Sequence, residues 1–254
     1  MNKDARLKLV KVTLATFAMF AVMMIGGSNY MFNNGLSGKY VNTQEKEGQI
    51  KVACVGDGIT YGHGISDWTK NSYPAILQEL LGDDYHVANF GSSGACVNPN
   101  GDQPYVNRDI YQAALEYDAD IIIFMMGTND AKPENWTNTE GFMEDYWALL
   151  GSFMQDESIP KIYIGLCAEA YYTADADKST GIAKYDIQPA VVDTIAETIE
   201  FNSAITSGIF TQTIDIHSLT EAHPEWFETD GIHPNNDGAK AIAEEVAKAI
   251  KAKE

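Results

Sequence analysis

The chain has 254 residues, 45% of them hydrophobic, and 36 acidic against 17 basic side chains give it a formal charge of -19 at pH 7. That length and apolar content suffice to bury a full core, and one α/β domain of about 200 residues needs no second domain to be stable. The negative field repels phosphate backbones and anionic headgroups, which argues against nucleic acid as a partner and otherwise describes a solvated surface.

In chain order, Lys3, Arg6, Lys8 and Lys11 precede Val12 to Gly27, which carries no charge and only Thr13 and Thr16 as polar interruptions. Sixteen residues rising 1.5 Å each cover about 24 Å, short of a hydrocarbon core of about 30 Å. Residues 1–28 therefore read as a signal peptide or an N-terminal membrane anchor, residues 29–48 as a linker, and residues 49–254 as an extracytoplasmic domain that meets a membrane only through the N-terminal segment. Cys54, Cys96 and Cys167 cannot all pair, and two of them sit in apolar runs, so buried thiols are expected. No Cys-x-x-Cys or His/Cys ligand spacing occurs, so neither a metal site nor a cofactor is expected.

The domain opens on a strand, Ile50 to Val55, broken by the turn Gly56-Asp57-Gly58-Ile59-Thr60-Tyr61-Gly62. Tyr73 to Leu81 has helical spacing, with Pro74 in the first turn and Gly82 as a stop. Tyr85 to Phe90 reads as a strand, Ile110 to Tyr117 as a helix, and the unbroken run Ile121 to Met126 as a central parallel strand buried on both faces. Phe142 to Met154 predicts a helix, Lys161 to Leu166 a strand, Val191 to Ile205 a helix, Thr213 to Ile216 a strand and Asp237 to Lys251 a closing amphipathic helix. About five parallel strands alternating with helices predict a three-layer, doubly wound α/β sheet with helices on both faces. In such folds ligands bind beyond the carboxyl ends of the strands.

Near the C-terminus, Asp230-Gly231-Ile232-His233-Pro234 places a carboxylate three residues before an imidazole. Asp230 can accept the Nδ1 proton and leave Nε2 as a base, although the same fragment also reads as an Asp-Gly turn with an incidental histidine. Three strand ends are predicted to converge on one sheet edge: the turn at Gly58, the turn at Asn89-Phe90-Gly91, and Gly127-Thr128-Asn129-Asp130. Each offers a backbone N–H freed by glycine or a side-chain amide, the donors that a tetrahedral oxyanion needs.

Together these motifs resemble the SGNH hydrolases, also called GDSL esterases and lipases. Gly56-Asp57-Gly58-Ile59-Thr60 matches the first family block, Gly-Asp-Ser-Ile-Thr, except that glycine stands in place of the nucleophilic serine. The resemblance implies an oxyanion hole from the N–H groups of Gly58 and Gly91 and the Asn129 amide, with Asp230 and His233 as acid and base. It covers about residues 50 to 250 and implies an ester hydrolase. The extended Gly-Asp-x-Ile-Thr-Tyr-Gly turn and the Asp-Gly-Ile-His-Pro ending look most like bacterial enzymes that remove acetyl groups from carbohydrates. A small acyl ester or glycan ester is the implied substrate. Tyr61, Trp68, Tyr105, Trp136, Tyr171, Tyr172 and Trp226 lie in or beside the loops expected around the site, where they either stack on sugars or pack the loops.

Without an Oγ at Gly58, no acyl-enzyme forms there. Three outcomes stay open: a catalytically silent carbohydrate- or acyl-binding surface protein using the same cleft, an inactivated esterase, or a water activated directly by His233. Thr60, Ser92 and Ser93 are nearby hydroxyls that the family pattern does not place in line, and Asp57 reads as support for the turn. His63, His86, His217 and His223 have no carboxylate at productive spacing and are assigned no catalytic part.

Overall fold

The computed structural model describes residues 40–41, 45–154, 160–171, 190–196 and 210–252. The N-terminal segment 1–28, Tyr172 and the 197–205 part of the helix expected after Val191 lie outside the described residues. Among the described residues, no helix is long and apolar enough to cross a membrane.

Among the described residues, six strands form one sheet: β1 (Tyr40–Val41), β2 (Ile50–Gly56), β3 (Tyr85–Gly91), β4 (Ile121–Met125), β5 (Lys161–Gly165) and β6 (Phe210–Ile214). Their order is β1-β3-β2-β4-β5-β6. Strands β2 to β6 are parallel, as expected, and β1 pairs antiparallel with β3 at the edge. The stretch read as a linker thus contributes a sixth strand, with Tyr40 opposite Asn89 and Val41 opposite Ala88.

Alternate residues of each buried strand feed opposite layers, because strand side chains alternate faces. Val55, Phe90, Ile122, Phe124 and Ile164 join Ile110 and Ala114 of α4 (Asp109–Glu116), and Tyr146 and Leu150 of α5 (Thr139–Gly151). Val52, Cys54, Val87, Ile123 and Met125 face the other way. They meet Leu77 of α3 (Tyr73–Leu81) and Ile242, Val246 and Ile250 of α8 (Asn236–Lys251). Full burial of a side chain the size of Ile123 stabilises the fold by about 1.5–3 kcal/mol, so the two layers hold the sheet rigid beneath its loops.

Two boundaries moved for local reasons. Helix α5 begins at Thr139, earlier than its apolar pattern, because the Asn138 side chain accepts from the Gly141 N–H at 2.8 Å and caps it. Strand β6 ends at Ile214 because Asp215 caps the next helix, α7 (Ile216–Thr220), through the Ser218 N–H at 2.9 Å, so Ile216 is helical. Residues 190–196 are helical and form α6. Cys54, Cys96 and Cys167 are unpaired and buried, and burial pushes the Cys54 and Cys96 thiols up to about 12.

Candidate active site

Strand β2 runs into the turn through Gly56, whose carbonyl accepts from the Ser92 N–H at 2.9 Å, and Asp57 caps the short helix α1 (Gly58–Tyr61). The Asp57 Oδ1 accepts from the Ile59 N–H at 2.9 Å, and burial pushes its carboxyl above the usual range. That is the supporting part expected of it. A short α2 (Trp68–Asn71) follows and places Trp68 against Tyr61, ring centroids 5.5 Å apart.

The loop before α8 carries the imidazole. His233 Nδ1 lies 2.7 Å from Asp230 Oδ2, while Asp230 Oδ1 accepts from the backbone N–H groups of Ile232 at 2.8 Å and His233 at 3.0 Å. Burial opposes ionisation of Asp230, but the ring and backbone donors outweigh it and hold its pKa below the usual carboxylate range. His233 Nε2 then points at Gly58, standing 2.8 Å from where a Cβ on that residue would be. Residues 58 and 233, far apart in sequence, meet as the motifs implied.

Gly231 makes this loop possible. Its φ is +69°, and a Cβ there would stand 1.8 Å from the Tyr171 carbonyl oxygen, while the Tyr171 N–H donates to its own carbonyl at 2.7 Å. We expect Gly231→Ala to lose about 2–3 kcal/mol of stability in denaturant unfolding, from the left-handed strain together with the broken clamp.

The third strand end supplies an amide. After β4, Asn129 donates its Nδ2 to the Ala95 carbonyl at 3.0 Å, leaving its second amide hydrogen for a ligand, and its own carbonyl accepts from Asn135 Nδ2 at 2.8 Å. Asp130 next to it is fully buried and accepts from the N–H groups of Val97 and Asn98 at 2.9 and 3.0 Å, which pins the second loop to the third. Burial pushes Asp130 up to about 7. A raised folded pKa gives stability that is complete below the unfolded value near 4 and lost as pH rises through about 7. Asp130→Asn keeps an oxygen for both N–H groups, so the unfolding free energy of the wild type relative to this variant should fall by a few kcal/mol between pH 4 and pH 8 in denaturant titrations.

The expectation for Gly91 needs correction. Its N–H donates to Asn89 Oδ1 at 2.9 Å, and the residue lies inside β3 with the Tyr61 backbone nitrogen 2.1 Å from where a Cβ would be. Gly91 is a close-packing residue whose donor is already spent. Three residues on, Gly94 sits at φ +78° in a turn closed by the Ala95 N–H on the Ser92 carbonyl at 3.0 Å. The N–H groups of Gly58 and Gly94 carry no hydrogen bond among the described residues. Those two N–H groups and the Asn129 amide are the donors the rim offers.

His63 lies beside the same imidazole. Its ring packs on His233 with centroids 4.2 Å apart, and its Nδ1 lies 3.1 Å from Ser93 Oγ. Burial first, and His233 second, hold its pKa below the usual histidine value. Ser93 Oγ lies 3.4 Å from the Cβ position of Gly58, whereas Thr60 is fully buried with its hydroxyl on Tyr73 at 3.2 Å. The other histidines keep structural surroundings: His86 on Tyr117 at 2.6 Å, His217 on Glu169 at 3.5 Å, and His223 on Glu225 at 2.8 Å.

The aromatics divide. Tyr105 is buried with its hydroxyl on the Phe90 carbonyl, Trp136 packs on Phe142, and Tyr171 packs on Phe227 and donates to the Thr220 carbonyl. Those three pack loops. Tyr61 on Trp68, at the end of α1 and the start of α2, and Trp226 on His223 are half-buried stacked pairs.

An acetylxylan esterase from Xylanibacter ruminicola is 36% identical over 211 residues, which are 81% of this chain and 44% of that protein, so the chain spans less than half of its relative's length. A carbohydrate acetylesterase from Sinorhizobium meliloti shares the fold at TM-score 0.61 and 17% identity, over 81% of this chain and all of that one. A lipase/acylhydrolase from Enterococcus faecalis does so at 0.61 and 16%, over 81% and 97%. Residues 54–241 match the GDSL-like lipase/acylhydrolase family, and with its sheet, elbow and Asp230–His233 pair the chain belongs to that family.

Proposed function

We propose that the cleft is an ester-hydrolase site for acetyl groups on carbohydrate, lying outside the cytoplasm and retaining every part except the family's nucleophilic hydroxyl. The observation that carries this reading is His233 Nε2, oriented by Asp230 at 2.7 Å and standing 2.8 Å from the absent Cβ of Gly58. An imidazole so placed takes a proton from an alcohol or a water at that point and returns it to the departing sugar alkoxide. Gly58 N–H, Gly94 N–H and the Asn129 amide stabilise the oxyanion. The substrate class rests on the acetylxylan esterase relative, with the Tyr61–Trp68 and His223–Trp226 pairs as faces for sugar rings.

The missing hydroxyl favours a second reading, a silent binder of acylated glycan in the same cleft. Acetate release from O-acetylated xylan, measured on the chain and on Gly58→Ser, decides between them. Release by either protein supports the esterase reading. Binding of acetylated xylan with no release by either leaves the silent binder, and cleavage confined to long-chain acyl esters removes the glycan reading.

A further inference from the structure

Two serine–histidine pairings border the same vacated space. One is the family pair that Gly58 has broken; the other is intact. Ser93 Oγ and His63 Nδ1 are 3.1 Å apart, and Ser93 Oγ is in van der Waals range, 3.4 Å, of the point from which the family hydroxyl would extend. Both partners are tied to the elbow by backbone. The His63 N–H donates to the Gly58 carbonyl at 2.9 Å, and the turn holding Ser93 is fixed by the Ser92 N–H on the Gly56 carbonyl at 2.9 Å. Both side chains are solvent-exposed, so substrate reaches them. Ser93 immediately precedes the Gly94 N–H, and Asn129 is bonded to the following Ala95 carbonyl, which brings the oxyanion donors alongside.

We propose that Ser93 is the nucleophile of this chain and His63 its base, an inference that rests on the esterase reading of the cleft. For Oγ–H to donate to Nδ1, His63 must carry its proton on Nε2, and its depressed pKa keeps the ring neutral and able to accept. In the acylation step Oγ bonds to the ester carbonyl carbon, its proton passes to Nδ1, and the carbonyl π pair becomes the oxyanion. Collapse breaks the bond to the sugar oxygen, which takes the proton from His63. Water then attacks the acyl-serine, gives a proton to the same ring, and releases acetate as Oγ recovers it.

A fluorophosphonate probe tests this on the unaltered chain, with peptide mass mapping to locate the adduct. The expected result is one phosphonyl group on Ser93, absent in Ser93→Ala and formed about 10²-fold more slowly in His63→Gln. p-Nitrophenyl acetate turnover should fall at least about tenfold in Ser93→Ala while its melting temperature stays at the wild-type value. An unlabelled Ser93, or a turnover unchanged by Ser93→Ala as direct water attack requires, overturns the proposal. If Ser93 is phosphonylated while neither the chain nor Gly58→Ser releases acetate from acetylated xylan, acetylated glycan fails as the substrate by itself, because phosphonylation of Ser93 does not depend on the sugar.

Discussion

Gly58→Ser is expected to raise kcat/KM toward p-nitrophenyl acetate and acetylated xylan by about 10³-fold. Loss of a triad nucleophile in a serine hydrolase costs about 10⁶ in kcat, while binding and the oxyanion hole retain about 10³ to 10⁴ over water. Here the imidazole, its carboxylate and the donors all remain, so one hydroxyl restores what is missing. The gain is set below the full factor for a geometric reason. His233 Nε2 already stands 2.8 Å from the incoming Cβ and its Cδ2 3.2 Å, so the ring must withdraw before the new Oγ can reach hydrogen-bond distance. The ring can do so by side-chain rotation, since the Asp230 Oδ1 bonds hold the loop backbone and only the 2.7 Å contact to Oδ2 must follow. Stopped-flow hydrolysis should also show a burst of nitrophenol in the variant as the acyl-enzyme accumulates. Rates equal to wild type would mean that His233 does not serve position 58.

The parts of this site that were legible in the sequence are those whose chemistry is local. Asp230 and His233 lie three residues apart, and a turn between them brings carboxylate to ring whatever the rest of the chain does. The core strands were legible because Ile121 to Met125 is apolar without interruption and so must be covered on both faces. Strand β1 was not, since two residues in a polar tract have no period, and only the open edge of β3 makes them a strand.

What the sequence left hidden are partners that it does not display. Gly91 and Gly94 are both glycines at the end of β3, and what separates them is the Asn89 side chain folding back onto the Gly91 N–H. His63 lacked a carboxylate nearby in sequence. Its partners come from elsewhere: the register that sets Gly56 beside Gly91 brings the Ser93 loop against the first turn, and the His233 loop closes over both. The usable signal was the chain of small residues Gly91-Ser92-Ser93-Gly94, which marks a loop that other backbones approach closely.

In the Gly58→Ser background, Asp230→Asn should remove nearly all of the about 10³-fold gain, through kcat with little change in KM. The carboxylate uses both oxygens: Oδ1 takes two backbone N–H groups and Oδ2 takes the ring N–H. An asparagine oxygen can replace Oδ1 and keep the loop folded, so the amide nitrogen must then face His233 Nδ1. A donor in that position turns Nδ1 into an acceptor and moves the ring proton to Nε2, the atom that must receive the serine proton. The imidazole stays in place but in the wrong tautomer, and the imidazolium formed during reaction loses its counter-charge. The same substitution in the wild-type chain should leave phosphonylation of Ser93 by the fluorophosphonate within a few-fold of its original rate, because the Ser93–His63 contact at 3.1 Å does not pass through Asp230. A comparable collapse of both reactions would show that one imidazole serves both hydroxyls.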